Sequence, residues 1–242
     1  EALAPGSSHL RRRVLAAGLV VGLLVLSLVA PLAWIRPAYA LPPPLTVEDI
    51  SMEDLYAHSA GVIFGGRATG SGVLQLLGYY VETQRIQPGE SVKITLYWQA
   101  LAQTSTDHAI FIHLLGEGDR IVAQRDSFPG RGLLSTMWLV PGQAWAEHII
   151  IPIPPMAYAP DTLRVSLGMY KTVTGERLSV GLPDDQLAHS ELMIHDGETV
   201  HFGEIILHPN AGDIPNPVHI RFGEGMALVG YDLSRLALGA GE

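Results

Sequence analysis

The residues best equipped for chemistry lie between Asp126 and Trp138. Asp126-Ser127-Phe128-Pro129-Gly130-Arg131-Gly132 is the most polar, glycine-rich loop of the chain, and Trp138 follows closely. The Asp126 carboxylate and Arg131 guanidinium can hold sugar hydroxyls, and the Trp138 indole offers a flat stacking surface. A structural reading competes with this one and is favoured by the frequency of Asx-type turns. In it Asp126 caps the turn through backbone N–H groups and Trp138 belongs to the core. Trp98, Trp138 and Trp145 together could line a sugar-binding face, although Trp on sheet strands more often packs inside.

Other reactive types are present without a reactive pattern. His108 and His113 are five apart on one expected strand, so they point to opposite faces and cannot chelate one metal. His148, His189, His195, His201, His208 and His219 are scattered, whereas a zinc site needs three or four convergent ligands. No metal or other cofactor is expected. There is no G-x-S-x-G nucleophile elbow. Gly65-Gly66 and Gly70-Ser71-Gly72 lack the Lys and the following helix of a phosphate loop, and read as a flexible turn. Glu147 and Asp161 are two carboxylates whose separation the sequence does not set. No catalytic residue is assigned.

The element that organises the chain is the stretch from Val14 to Ile35, which carries no charge. A spanning helix needs about 20 apolar residues. Gly18, Gly22 and Pro31 weaken a soluble helix but are common in membrane ones. Gly18 and Gly22 also form a small-xxx-small pair, which permits a partner helix to approach closely. Arg11, Arg12 and Arg13 precede the run, while Arg36 and then Glu48, Asp49, Glu53 and Asp54 follow it. Excess Lys and Arg mark the cytoplasmic side. The expected arrangement is a cytoplasmic segment at 1–13, a transmembrane helix at 14–35 and an extracytoplasmic remainder. Trp34 and Tyr39 fall where the outer aromatic belt belongs. Ala38-Tyr39-Ala40 has the small-residue form of a signal-peptide cleavage site, but the apolar run exceeds the roughly 7–15 residues of a signal core.

Beyond the anchor, residues 36–61 read as a proline-rich spacer. Pro42, Pro43 and Pro44 favour polyproline II, and 48–60 suits a short acidic helix. Residues 1–10 read as loop. From Val62 the pattern is that of strands. Val92, Ile94, Leu96 and Trp98 alternate with Lys93, Thr95 and Tyr97, as do Leu163, Val165, Leu167 and Met169 with Arg164, Ser166 and Gly168. His108–Leu115 is almost wholly apolar, as a strand covered on both sides would be. Gln87-Pro88-Gly89-Glu90 has the form of a type II turn. The fold class is therefore mainly β. The transmembrane helix precedes an antiparallel immunoglobulin-like β-sandwich over 62–210, with a jelly roll as the second topology. A partial repeat adds a further unit. Gly78–Glu90 (GYYVETQRIQPGE) aligns without a gap on Gly230–Glu242 (GYDLSRLALGAGE), and Phe64-Gly65 and Phe222-Gly223 stand upstream. Residues 218–242 are thus expected to be the first strands of a second, incomplete sandwich, in a chain continuing past Glu242.

The composition bounds the partners. With 15 Lys and Arg against 24 Asp and Glu, the formal net charge is −9, which argues against nucleic acid, since phosphate binding needs clustered cations. There are 0 cysteines, so no disulfide or cysteine-based metal site exists, a usage that suits a bacterial envelope.

In order, the motifs IRPAYALPPP, LLGYYVE, PGESVKITLYWQAL, HAIFIHLL, VAQRDSFPGRGLLSTMWLVPG and LRVSLGMYKTVTGERL follow one another. This succession resembles the C-terminal end of bacterial membrane glycosyltransferases of the dolichyl-phosphate-mannose-protein mannosyltransferase-like (GT-C) type. In these, the last membrane helix leads into an extracytoplasmic β-sandwich. The resemblance covers about residues 14–242 and is most specific from Pro88 to Gly142. It implies a lipid-phosphate sugar donor and an acceptor at the outer leaflet. The family's catalytic carboxylates lie in its first outer loop, and no position here matches them. The expected role is a non-catalytic accessory domain in the bacterial cytoplasmic membrane, holding a glycan or lipid-linked sugar. The alternative is a single-pass membrane-anchored structural subunit that packs its helix and its β-sandwich against partners in a membrane protein complex, partner transmembrane helices among them.

Overall fold

The computed structural model describes residues 6–41, 45–50, 59–66, 72–182, 192–210, 212, 214 and 216–233. It divides into two compact units, Glu1–Leu41 and Pro42–Glu242.

The first unit is helical. An α-helix, α1, runs over Gly6–Ala30, widens to a π-turn over Pro31–Ile35, and ends in a helical stretch at Arg36–Ala38. Pro31 has no N–H to give to the preceding turn, and the helix absorbs this by widening, with the Arg36 N–H bonded to the Pro31 carbonyl. Arg11–Ala38 spans 28 residues at a hydropathy of 2.6, long and apolar enough to cross a membrane. Gly6–Leu10, expected as loop, is helical instead. A helix once nucleated extends at little cost through residues such as Arg and Leu, whatever their polarity. Likewise Arg36–Ala38 continues the helix where the spacer was expected to begin. The three consecutive prolines and most of the expected acidic helix lie outside the described residues; Val47–Asp49 forms one 3-10 turn.

The second unit is built from strands. Those that form its two main sheets are β1 (Ser59–Phe64), β2 (Leu74–Val81), β3 (Arg85–Ile86), β4 (Ser91–Ala100), β5 (His108–Leu115), β6 (Ile121–Ser127), β7 (Ala144–Pro152), β8 (Asp161–Lys171), β9 (Val180–Gly181), β10 (Met193–His195) and β11 (Thr199–Leu207). One sheet has the order β7-β4-β2-β1-β9 and the other β10-β11-β8-β5-β6, with β3 beside the far end of β11. All pairs are antiparallel except β3 with β11. A separate hairpin follows, β12 (Asn216–Phe222) with β13 (Met226–Tyr231).

The alternating residues read from the sequence make the core. Ile94, Leu96 and Trp98 of the first sheet and Leu163, Val165, Leu167 and Met169 of the second belong to one buried cluster. The Tyr79 and Phe202 rings, one from each sheet, meet at 4.2 Å. Trp98 and Trp145, opposed on β4 and β7, are both fully buried. The Gln87–Glu90 turn forms as expected, with the Glu90 N–H on the Gln87 carbonyl and Gly89 at φ +92°. Pro152 ends β7, an edge strand, where its missing N–H costs no ladder bond.

Candidate functional site

The outward face of the second sheet collects polar side chains from five strands. On β5, Ile110, Ile112 and Leu114 turn into the core, so Phe111 and His113 turn outward. Directly opposed residues share a face, and the register therefore lays out two rows. Asp126, Phe111, Gly168, Thr199 and His195 form one; Gln124, His113, Ser166, His201 and Met193 form the next.

Gly168 lets the first row pack. A Cβ there would overlap the Phe111 ring, so the ring occupies the place that a side chain on β8 would take. The Arg177 guanidinium covers that ring at 4.9 Å from its centroid, within cation–π range. Tyr170 flanks it at 6.2 Å and His113 at 5.0 Å. The His195 and His201 rings stack at 4.7 Å. His195 lies 3.0 Å from the Asp196 carboxylate, and the Thr199 hydroxyl donates to the His195 carbonyl at 3.2 Å. A cavity of about 150 Å³ opens among Phe111, His113, Arg177, His195 and His201. A second, of about 330 Å³, adjoins it through Leu115 and Asp119 and reaches Arg164 and Glu204.

Burial lowers the His113 pKa; Asp126 opposes this and Arg177 adds to it. Burial also lowers His201, helped by Arg164 and by His195. Burial thus favours the neutral form of both imidazoles, which has one donor and one acceptor. Around them stand the cations Arg164 and Arg177 and the anions Asp119 and Glu198, cross-paired as Arg164–Asp119 and Arg177–Glu198.

The three residues singled out in the sequence lie on three successive segments, the end of β6, the loop after it and a 3-10 turn. Asp126 belongs to the polar face, with the Tyr170 hydroxyl 3.5 Å from its carboxylate. Arg131 sits in the β6–β7 loop at φ +61°, and its backbone N–H donates to Glu147 Oε1 at 2.6 Å. Trp138 ends a 3-10 turn and is 69% exposed, unlike the two core tryptophans. None of the three lines either cavity. The cap expected of Asp126 comes instead from Glu147, which also accepts the Gly130 N–H and the Trp145 indole N–H.

No protein-family profile matches this chain, and no curated protein matches it. Among solved structures it is similar to the C-terminal domain of wzt, with a TM-score of 0.42 and 8% identity over 80% of this chain and 100% of that domain. So distant a likeness says nothing about ligand or activity.

Several clusters of catalytic residue types have structural duties. Thr136, His108 and Asp107 combine hydroxyl, imidazole and carboxylate. Thr136 is fully buried, however, and its oxygen accepts the His108 backbone N–H at 3.0 Å. Glu147 and Asp161 lie in different sheets. Asp161 binds Arg120 at 3.0 Å and the Glu117 N–H at 3.1 Å, fixing the β5–β6 turn. Among the described residues no group of three or more His, Cys, Asp or Glu is placed to hold a metal ion.

Sequence reasoning missed Arg177, Ser166 and His201 as neighbours of His113, and Tyr170 as a neighbour of Phe111. The signal was the polar half of each alternating strand. Ser166, Gly168 and Tyr170 on β8 are the residues between the core positions, and only the strand order shows which strands they face.

Proposed function

We propose that this chain is a membrane-anchored, non-catalytic domain whose second sheet holds a glycan or lipid-linked sugar. In this reading it is the extracytoplasmic accessory part of a GT-C-type bacterial glycosyltransferase. The observation that carries the reading is the mixed row chemistry around Phe111 and His113. A polyol needs donors and acceptors close together, and the half-buried His113 imidazole with the Arg164 and Arg177 guanidinium groups and the Asp119 and Glu198 carboxylates supplies both. The half-buried Tyr170 ring adds apolar surface for sugar C–H groups. The two packed sheets suit an immunoglobulin-like sandwich, in which such a face is available for binding. The arginines before the helix support an extracytoplasmic β-unit and a cytoplasmic N-terminus.

The test is affinity electrophoresis of the detergent-solubilised chain through gels containing polysaccharide from bacterial envelopes. Retardation that is lost in Tyr170→Ala and Arg177→Ala supports the reading. Equal mobility of wild type and variants at every polysaccharide concentration rejects it.

The alternative role, a structural subunit, draws on the helix. A Cβ added at Gly18 or at Gly22 would meet nothing within 4 Å, so a partner helix has room to approach there. Gly18→Leu with Gly22→Leu would then abolish co-purification of a membrane partner while leaving polysaccharide retardation intact.

A further inference from the structure

The last hairpin copies the first in register. Phe64 pairs with Leu74, Ile63 with Gln75 and Val62 with Leu76; Phe222 pairs with Met226, Arg221 with Ala227 and Ile220 with Leu228. Both ladders then slip, between Ser59 and Val62 and between Pro217 and Ile220, and resume at Ser59–Gly78 and Pro217–Gly230. Each first strand leads into a glycine at positive φ, Gly65 at 82° and Gly223 at 68°. Every one of these pairs maps onto its counterpart with a constant offset along each strand. Only the loop lengths differ. Bulges are specific features of a fold, and a one-residue slip would invert the faces, so agreement at the bulge extends the sequence repeat to the backbone.

The two hairpins differ in what covers them. Val62, Phe64, Leu74 and Leu76 are each 0% exposed, whereas Ile220, Phe222, Met226 and Leu228 are 48%, 55%, 67% and 39% exposed. The same face is apolar in both, but it is closed only in the first. There it is closed by later strands of the same chain, as the Tyr79–Phe202 contact illustrates. A lone two-stranded hairpin is marginal in water. The root of the second hairpin is nevertheless fixed. The Asn216 side chain bonds the Ala159 N–H and carbonyl, both at 2.9 Å, and the Tyr158 hydroxyl donates to Asp232 at 2.9 Å.

We propose that Asn216–Tyr231 opens a second module with the fold of residues 59–207. The face of Ile220, Phe222, Met226 and Leu228 is the half-core on which later strands of the same polypeptide pack. The test is hydrogen exchange, read by mass spectrometry, on the polypeptide as the cell makes it and on the chain ended at Glu242. Peptides from 216–231 should exchange at least about 100-fold more slowly in the cellular polypeptide, while 59–81 peptides stay equally protected in both. Phe222→Asp in the cellular polypeptide should remove that added protection and leave 59–81 unchanged. A cellular polypeptide of only 26.1 kDa would overturn the proposal. So would equal exchange of 216–231 in the two chains, or protection in the shorter chain that disappears on dilution, which would assign the face to a second copy.

Discussion

Glu147 decides the shape of the β6–β7 loop. Its buried carboxylate collects the Gly130 and Arg131 backbone N–H groups and the Trp145 indole N–H. Burial raises its pKa, and the same hydrogen bonds oppose the rise. Glu147→Ala would leave these donors without an acceptor and should cost about 2–4 kcal/mol in urea unfolding. Asp126→Ala, at an exposed position, should change stability by less than about 0.5 kcal/mol. The histidines set a pH dependence. His108, His113 and His201 all have pKa values lowered from 6.5 in the fold, with burial the first cause. Their unfolded forms therefore take up protons first as pH falls. The related stability is complete above pH 6.5 and lost as pH drops through that value toward the lowered pKa values. The urea midpoint should fall between about pH 7 and about pH 5, and His108→Gln with His201→Gln should flatten that slope. A midpoint that rises on acidification would contradict the assignment.

At the scale of elements, β8 links core and site. Its inward residues close the core, and its outward Gly168 makes room for the Phe111 ring. Gly168→Ala should displace that ring, cost about 1–3 kcal/mol and weaken polysaccharide retardation. Adding Phe111→Leu should restore part of the stability but not the retardation. The hairpin gives an independent element-scale test. Asn216→Ala removes the two bonds to Ala159 and should speed exchange across 216–231 without moving the thermal midpoint of the core. Strand existence was legible in the sequence because the alternation at β4 and β8 follows burial directly. The sheet-scale partners were not. Which strand lies beside β5 depends on long-range pairing, so the rows through His113 and Phe111 had no local signal. The Asp126 cap was misread for the same reason. A turn chemistry that is local in sequence was replaced by Glu147, a carboxylate brought in from β7. The start of the helix at Gly6 was missed because hydropathy marks where an apolar run begins, not where helical hydrogen bonding does.

At the scale of the whole molecule, two units of different surface chemistry share one chain. Arg11–Ala38 is suited to hydrocarbon, and the β-unit buries its own core and carries a polar face. Carbonate washing of membranes should leave the protein in the pellet, and its release would contradict the anchor. The function proposed for the β-unit turns on its polar face taking a glycan. Calorimetric titration of the full chain in detergent with lipid-free polysaccharide from bacterial envelopes, repeated with Tyr170→Ala and Arg177→Ala, reads this directly. Saturable binding is expected of the wild type, with at least about tenfold weaker binding by each variant, a loss of about 1.4 kcal/mol. Absence of binding by the wild type, or equal affinity of all three proteins, would refute a glycan-binding face.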